Sequence, residues 1–393
     1  MSRTTPFDPP PEYADLRSDG PVSRARMPSG QEVWLVTGHE HVRKILVDPR
    51  VSSSRMHPNF PSPITITEEM RQRSNSLGDA LISADPPEHT ERRRMLITEF
   101  TVRRVQALRP RIQEIVDARI DDLLAGERPA DLFAELALPV PSLVICELLG
   151  VPYEDREFFQ SRTKHLLARA TPPEDRQRMS EDLRTYFDRL ITKKKAAPGD
   201  DLLGRLIVRN AETEVFSHEL LVGLSTLLLI AGHETTSNVI SLGTMALLRH
   251  PEQLAALTAD PSLIPSAIEE MLRFLNIVEA GFRVATADIE LGGTVIRAGD
   301  GLIALAGSAN RDSGAFDQPD DFDVTRGARH HVAFGYGIHQ CLGQNLARME
   351  LEIVFGTLFR RMPGLRMAVP MADVPFKDDS FIYGVHSLPV TWE

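Results

Sequence analysis

The residue of this chain best suited to chemistry is a cysteine in a glycine-rich loop. Cys341 is one of only two cysteines in 393 residues, and it lies in the stretch FGYGIHQCLG, just before a long helical pattern. Unsatisfied N–H groups and the positive end of the helix dipole favour a thiolate at such a position. Gly335, Gly337 and Gly343 remove side chains around the sulfur and permit positive φ angles. The pattern therefore predicts a thiolate against which a flat, bulky partner can lie.

Elimination narrows the choice of partner for this sulfur. Zinc needs four ligands, and no second cysteine or close Cys/His cluster supplies them. An iron–sulfur cluster needs more cysteines. A cysteine protease stays possible in principle, although no base or oxyanion hole is recognisable near Cys341. One thiolate and a flat cofactor favour haem, whereas Cys146, inside the apolar SLVICELLG, is interpreted as a small core residue.

A second candidate site is a polar island within an apolar helix. The segment from Leu221 to His250 predicts one continuous helix, about 45 Å long. Apolar residues surround nearly its whole circumference, which predicts a buried middle, yet that middle carries AGHETTSN. Glu234 beside Thr235 is a pair suited to a proton relay, and Gly232 would let a ligand approach the helix. The alternative is an exposed polar patch, or hydroxyls that bond back to the preceding turn.

The elements that must position these sites are mostly helices. Helical patterns dominate from Pro87 onward, and two of them stop at Gly126 and Gly150, where glycine suits a left-handed cap. Strand patterns are fewer, at Glu32–Gly38, at Asp288–Leu305, and in GLRMAV and HSLPVTW near the C-terminus. The sequence therefore predicts a mainly α fold with a small β portion (α+β).

The organisation of the chain favours one unit with a long surface loop. No internal repeat or low-complexity linker divides residues 1–393, so they are interpreted as a single domain. The stretch between Val51 and Ile82 is polar and contains prolines. Loops of that length in compact domains are usually functional or mobile, so we interpret this stretch as a lid.

Composition excludes several classes of partner. A formal net charge of −11 argues against nucleic acid and anionic membranes. The first residues contain no apolar run that could serve as a signal peptide, and the apolar run Glu219–Gly232 is too short to span a bilayer. Two cysteines make no disulfide framework and fit a reducing compartment. We therefore expect a soluble, cytoplasmic protein.

Taken together, these motifs resemble those of the cytochrome P450 monooxygenases, specifically the soluble bacterial (actinobacterial) class that uses ferredoxin. FGYGIHQCLG fits the family's haem loop, AGHETT its oxygen-activation motif, and EEMLR its Glu-x-x-Arg, as Glu270 and Arg273. The resemblance extends over essentially the whole chain. It implies a triangular helical domain with haem b (Fe protoporphyrin IX) between the long central helix and the helix after the cysteine loop.

The resemblance also implies roles for individual residues around the haem. Cys341 would be the axial ligand of the iron, and Glu270 and Arg273 would join Arg326 in a structural ion-pair network. His89 and Arg93 are four residues apart, which places them on one helix face. The positions implied to contact the haem, as propionate partners or against its ring, are His89, Arg93, Arg283, His339, Phe334, Gly335, Gly343 and Ala231.

The implied reaction is hydroxylation or epoxidation of a bulky hydrophobic molecule with O2. Thr235 would direct protons to the bound oxygen, and Glu234 would connect it to solvent. The matching substrate contacts are apolar, which indicates a polyketide, terpenoid, sterol or statin-like drug; they are Leu227, Ile230, Ala231, Val278, Ala280, Phe381 and Ile382. Glu279 is the exception among them, and it either faces away or meets a polar substrate group.

The partners follow from what the chain lacks. It has no room for a flavin reductase module and no GxGxxG fingerprint, so the resemblance implies electrons from NAD(P)H through ferredoxin reductase and ferredoxin, delivered to a monomer. Candidate residues for docking an acidic ferredoxin are Arg92, Arg103, Arg104 and Arg360. Two alternatives stay open, namely a peroxide-driven haem peroxygenase, which often replaces the threonine, and a haem-thiolate sensor without turnover.

Overall fold

The computed structural model describes residues 3–62 and 81–393, and helices make up most of it. The first eight described helices are α1 (Glu12–Asp19), α2 (His39–Val47), α3 (Glu88–Ile97), α4 (Val102–Ala125), α5 (Pro139–Leu149), α6 (Arg156–Leu167), α7 (Pro173–Ala196) and α8 (Leu202–Thr213). They are followed by α9 (His218–Arg249), α10 (Pro251–Ala259), α11 (Ile264–Leu275), the single turn α12 (Ala306–Ala309) and α13 (Gln344–Arg361). A π-helical segment at Phe133–Ala137 leads into α5.

The strands form three small sheets. They are β1 (Val22–Arg26), β2 (Glu32–Val36), β3 (Val51–Ser52), β4 (Ala130–Asp131), β5 (Ala280–Ala285), β6 (Ile289–Leu291), β7 (Thr294–Ile296), β8 (Gly301–Leu305), β9 (Arg366–Met367) and β10 (Pro389–Thr391). The largest sheet has the order β1-β2-β8-β5-β3, in which only β2 and β8 run parallel. A second sheet has the order β4-β10-β9, and β6 pairs with β7. The mainly α fold with a small β portion is confirmed.

The ends and strands predicted from the sequence are confirmed in part. Gly150 ends α5 with a φ of 65°, as a left-handed cap. Gly126 ends α4 with an extended backbone (φ −80°, ψ 179°), so the left-handed cap predicted there is wrong. The prediction missed β1 and β5, which lack a clear apolar alternation and are placed by their neighbours in the large sheet. Of the predicted lid, residues 63–80 lie outside the described residues.

The core of the molecule is organised around α9. Ser217 caps its start by accepting a hydrogen bond from the N–H of Leu220 at 3.2 Å. By length and composition α9 could cross a membrane, but 67% of its most apolar stretch is buried inside the fold. A Cβ on Gly243 would lie 2.8 Å from the ring of Phe355, so this glycine lets α13 pack closely against α9. The apolar stretch therefore belongs to a core helix, which begins three residues before the predicted Leu221 and ends one residue before the predicted His250.

A buried ion-pair network fixes the chain that precedes the cysteine loop. Arg273 is fully buried, and its Nε and Nη2 donate to the carboxylate of Glu270 at 2.8 and 2.7 Å. Arg326 adds its Nε to the same carboxylate at 3.2 Å. Arg273 also donates to main-chain carbonyls of the approaching segment, those of Asn310, Pro319 and Asp321. Because each charge has several partners, the network holds this segment in place rather than leaving a buried charge unpaired.

Candidate active site

The cysteine loop is a tight turn that closes on itself ahead of α13. The N–H of Cys341 donates to the carbonyl of Phe334 at 2.8 Å. Gly335 and Gly337 have φ angles of 70° and 74°. A Cβ on Gly337 would lie 2.6 Å from the carbonyl oxygen of Leu46, so only glycine fits there. The loop therefore presents the sulfur on a backbone that other residues could not form.

The ionisation of the thiol depends on its surroundings more than on the helix. Burial raises the pKa of Cys341 above its ordinary value, while the N–H of Gly343 and the charges of Arg93 and Arg348 act in the opposite direction. The N–H of Gly343, just before α13, therefore favours the thiolate as expected of a helix end, but burial outweighs it in the chain by itself. A thiol that binds a metal ion is deprotonated, so iron bound to this sulfur would lower the pKa of Cys341 instead of raising it.

Two histidines and two arginines from three elements meet beside the loop, and we call them the anion cluster: His89 and Arg93 on α3, Arg283 on β5, and His339 in the loop. The rings of His89 and His339 lie 4.2 Å apart. Arg93 donates to the carbonyl of Gln340 at 2.6 Å. Burial lowers the pKa of Arg283 to about 10. Burial, then the charges of Arg283, His89 and Arg93, lower the pKa of His339 to about 3. The sequence analysis predicted that all four lie around the haem, and in the structure they lie close to one another.

The anion cluster has the chemistry needed to bind haem propionates. Both ring nitrogens of His89 and Nε2 of His339 are buried without a hydrogen-bond partner among the residues that the structure describes. Native proteins pair most buried polar atoms, so unpaired imidazole nitrogens between two arginines indicate a site made for an anion. Next to the sulfur, a Cβ on Gly343 would meet no atom within 4 Å, although its φ of −84° does not require glycine. The residues present therefore fit haem.

One face of α9 stays accessible in the middle of this otherwise buried helix. From Leu221 to Leu247 nearly every residue is buried. Apart from Gly232, which has no side chain, the residues that are not buried are Leu227, Ile230, Ala231 and Thr235, and Ala231 is exposed. Their spacing of 0, 3, 4 and 8 places them on a single stripe. We call this the α9 stripe. It presents three apolar side chains and one hydroxyl to the same open space.

The acid next to Thr235 is buried and paired. Glu234 Oε2 lies 3.3 Å from Nζ of Lys377, and Oε1 lies 3.7 Å from Nε2 of His233. His233 donates from Nδ1 to the carbonyl of Leu229 at 2.7 Å, and its Nε2 is 3.2 Å from Oγ1 of Thr163. Burial lowers the pKa of Lys377, and the charge of Glu234 opposes this. We call Thr163, His233, Glu234 and Lys377 the relay cluster.

Two expectations about this helix are changed by these contacts. Glu234 does not face solvent, because its side chain is only 8% exposed and lies against Lys377. The hydroxyl of Thr235 donates to the carbonyl of Ala231 at 2.8 Å, which is the back-bonded alternative. Thr235 must therefore break that bond before it can donate a proton into the open space. No sequence motif marks Lys377, which is 143 residues away from its partner.

The role of Gly232 also differs from the expectation. A Cβ at this position would lie 2.7 Å from Cγ1 of Ile145 in α5. The missing side chain therefore permits close packing of α5 against α9, and it does not open a groove for a ligand. Ala231, the neighbouring residue, is the one that faces the open space.

The remaining candidate substrate contacts lie on two segments that touch each other. Val278 lies between α11 and β5 and is 41% exposed, and Ala280 is the first residue of β5. Phe381 and Ile382 lie near the tip of a C-terminal hairpin, residues 376–385, in which Phe376 bridges Val385. We call these two segments the first wall (residues 275–280) and the second wall (the hairpin). Main-chain contact joins them, because the N–H of Tyr383 donates to the carbonyl of Ile277 at 3.0 Å.

Glu279 faces away from the substrate contacts on the first wall. Its carboxylate lies 2.6 Å from Nη2 of Arg3, near the start of the chain. Of the two alternatives for this residue, the structure therefore supports the one in which Glu279 points away.

The four candidate docking arginines differ in exposure. Arg103, Arg104 and Arg360 are exposed, and Arg92 is half-buried. Arg104 lies 3.7 Å from the buried carboxylate of Glu99, so part of its charge is compensated. The first three therefore stay candidates on charge and access.

Comparison with known proteins agrees with this geometry. The family model described as Cytochrome P450 matches residues 12–363. The chain is 52% identical to pentalenic acid synthase of Streptomyces avermitilis over 392 residues, which is 100% of this chain and 96% of the relative. It is 48% identical to vitamin D3 dihydroxylase of Streptomyces griseolus, covering 100% and 96%.

A solved structure is similar over its whole length. The mycinamicin VIII C21 methyl hydroxylase from Micromonospora griseorubida, bound to mycinamicin VIII, superposes with a TM-score of 0.94 at 44% identity, covering 100% of this chain and 99% of that one. The match extends through the cysteine loop, the α9 stripe and both walls. The chain therefore belongs to the cytochrome P450 family of bacterial haem-thiolate monooxygenases.

Proposed function

We propose that this enzyme hydroxylates or epoxidises a bulky hydrophobic small molecule of the polyketide, terpenoid, sterol or statin-like class. The observation that carries the proposal is the α9 stripe, where Leu227, Ile230 and Ala231 present apolar surface and Thr235 presents a hydroxyl to the same space. Pockets for such ligands are mostly apolar with a few placed polar groups. The stripe supplies both on one face of α9.

Relatives support the size and polarity of the substrate. Their names refer to the synthesis of pentalenic acid, the dihydroxylation of vitamin D3 and the hydroxylation of mycinamicin VIII, and this chain covers 96%, 96% and 99% of those proteins. We extend that range of bulky, mostly apolar molecules to this chain because its own wall residues are apolar. Val278, Ala280, Phe381 and Ile382 would add further apolar contacts with the substrate.

The residues of the anion cluster and the loop would hold the cofactor, haem b. Cys341 would bind the iron through its thiolate, with Phe334 and Gly335 against the ring. His89, Arg93, Arg283 and His339 would bind the two propionates. When bound, haem-thiolate iron supplies the activation of O2. Gly343 would leave room beside the sulfur for the edge of the ring.

The chain's own contribution to catalysis would be the movement of protons. Thr235 Oγ1 would leave the carbonyl of Ala231 and donate a proton into the open space beside the stripe. Glu234 would resupply that proton after accepting one from the ammonium group of Lys377, 3.3 Å away, and Lys377 would regain its proton from water. The longer side chain of Glu, compared with Asp, lets the carboxylate reach Lys377 while its backbone stays in α9. Thr235 and Glu234 are therefore the proposed catalytic residues.

Electrons would come from NAD(P)H through a ferredoxin reductase and a ferredoxin. The enzyme would act in the cytoplasm as a monomer, with residues 1–393 as one domain. An acidic ferredoxin would bind near the exposed Arg103, Arg104 and Arg360 by charge complementarity. Mutating each to Glu should slow reduction by ferredoxin and reduce its dependence on salt. Reduction by dithionite should be unaffected.

A spectral screen tests the proposed function directly. Purified holoenzyme is titrated with polyketides, terpenoids, sterols and statins, and displacement of water from iron is followed as a shift of the haem absorption. Compounds that bind are then incubated with NADPH, a surrogate ferredoxin and its reductase. Product should form faster with this system than with hydrogen peroxide alone. A higher rate with peroxide would favour the peroxygenase alternative, and binding without any product would favour the sensor.

A further inference from the structure

The third residue of the chain is held in the interior by an unusual number of contacts. The side chain of Arg3 is only 7% exposed. Its Nε and Nη2 lie 2.8 and 2.6 Å from Oε1 of Glu279, and Nη2 also reaches the carbonyls of Leu275 and Asn276 at 3.4 and 3.3 Å. The guanidinium carbon lies 4.1 Å from the ring centroid of Tyr383. One side chain therefore contacts the first wall by hydrogen bonds and the second wall by a cation–π contact.

These contacts are on the reverse side of the proposed substrate surface. Ala280 begins β5, in which successive side chains point to opposite sides, so an anchored Glu279 directs Ala280 away from Arg3. On the second wall, Tyr383 directly follows Phe381 and Ile382. The N–H of Tyr383 bonds to the carbonyl of Ile277 where the walls meet. Arg3 thus spans the joint between the two walls.

The segment that carries Arg3 has its own attachment. Arg311, which is buried, donates to the carbonyl of Phe7 at 3.0 Å and lies 3.6 Å from the carboxylate of Asp8. Phe7 packs against the ring of Phe274 with centroids 6.2 Å apart. Residues 7 and 8 would therefore stay docked after a change at Arg3, which would remove its contacts with the walls and its own hydrogen bond to the carbonyl of Asp8 at 3.0 Å.

We propose that Arg3 is a positioning residue that holds the two walls at a fixed separation and so determines which substrates fit between them. The proposal rests on the proposed function only in taking the walls as substrate contacts. The buried guanidinium of Arg3 donates to one carboxylate and two carbonyls at once, and a lysine or a neutral side chain cannot make the same set of hydrogen bonds. Without it, Glu279 keeps a partly buried charge that has lost this partner, and the joint between the walls loosens.

The first test measures the joint itself, in holoenzyme and without substrate. Arg3→Met and Arg3→Lys are compared with Arg24→Met, a matched control in which another N-terminal arginine loses an exposed pair with Glu32 and a contact with the ring of Trp34. Hydrogen exchange of the Tyr383 amide should accelerate about tenfold in Arg3→Met, less in Arg3→Lys, and not in the control. Exchange at Tyr383 that is unchanged in Arg3→Met would overturn the positioning role.

The second test measures fit. Dissociation constants from spectral titration are determined for a series of hydrophobic compounds of increasing length. Arg3→Met should change the ranking of their affinities. The compounds that fit best should bind about tenfold more weakly, and longer ones should lose the least affinity, while Arg24→Met keeps the wild-type ranking. Faster exchange with an unaltered ranking would overturn the role in specificity. If no compound binds the wild-type enzyme, the proposed function is contradicted, and exchange at Tyr383 still decides whether Arg3 holds the walls.

Discussion

The anion cluster and the relay cluster both bury histidines, but they differ in whether the buried polar atoms have partners within the chain. His89 in the first and His233 in the second are both almost fully buried. Both nitrogens of His89 lack a hydrogen-bond partner among the residues that the structure describes, whereas His233 contacts Leu229 and Thr163 through its two nitrogens. Likewise Glu234 has Lys377, whereas among the described residues no carboxylate forms an ion pair with His89 or His339 of the anion cluster.

The difference follows from what completes each cluster. A buried polar group without a partner costs about 1–3 kcal/mol, so a protein keeps it where a ligand supplies the partner. A buried charge pair is complete within the chain and becomes costly only when one member is removed. Mutations in the anion cluster should therefore affect cofactor binding, and mutations in the relay cluster should affect stability and proton transfer.

The largest effect should come from the ligand of the iron. Cys341→Ala should abolish the thiolate-type absorption of the reduced carbonyl complex, because no other described sulfur lies in the loop. Cys146→Ala is the matched control, since Cys146 is buried in α5 and burial raises the pKa of its thiol to about 12. That variant should keep the wild-type spectrum. A thiolate-type spectrum in Cys341→Ala would show that another residue binds the iron.

The next effect concerns the hydroxyl of the α9 stripe. Thr235→Ala should bind haem and substrate normally but release more hydrogen peroxide for each NADPH consumed. The reason is that the hydroxyl that directs proton delivery beside the α9 stripe is lost. A positioned proton donor contributes about 10²–10⁴ in rate, so product formation should fall on the order of 100-fold. Thr235→Ser keeps the hydroxyl and should retain most of the coupling. Unchanged coupling in Thr235→Ala would exclude this role.

The relay cluster should also respond in stability. Lys377→Met leaves Glu234 buried without its cation and should lower the free energy of unfolding by about 3 kcal/mol in urea titrations, with the haem content unchanged. The double variant Glu234→Gln with Lys377→Met removes both charges and should recover part of the loss. Lys193→Met, an exposed lysine of α7, is the control. If Lys377→Met is as stable as the wild type, the pair is not coupled.

Sequence reasoning located the groups that local patterns determine. The cysteine loop, the long helix and the spacing of Glu270 and Arg273 are each encoded within a few residues, and the apolar pattern of α9 predicted its burial. It failed where tertiary packing decides. Lys377 and Arg3 find their partners 143 and 276 residues away, and neither lies in a distinctive stretch. Long-range partners depend on how elements pack, which composition and periodicity do not specify.

The same limit explains the error at Gly232. A glycine within a helix indicates a close approach from one side, but its position in the sequence does not say which neighbour approaches. The accessible side of α9 is the side of Ala231, and the close neighbour of Gly232 is Ile145. Only the packing of α5 against α9 distinguishes a contact between helices from a groove for a ligand.

The smallest effect is the sharpest test of the comparison between the clusters. His89→Phe removes two unpaired nitrogens, so the haem-free chain should be as stable as the wild type or more stable by about 1 kcal/mol. The holoenzyme should release haem to apomyoglobin about tenfold faster, since a hydrogen bond to a charged group is lost. His233→Phe, equally buried, should instead destabilise the haem-free chain and leave haem release unchanged. Equal loss of stability in both haem-free variants would mean that the imidazole of His89 is satisfied within the chain and does not serve an anion.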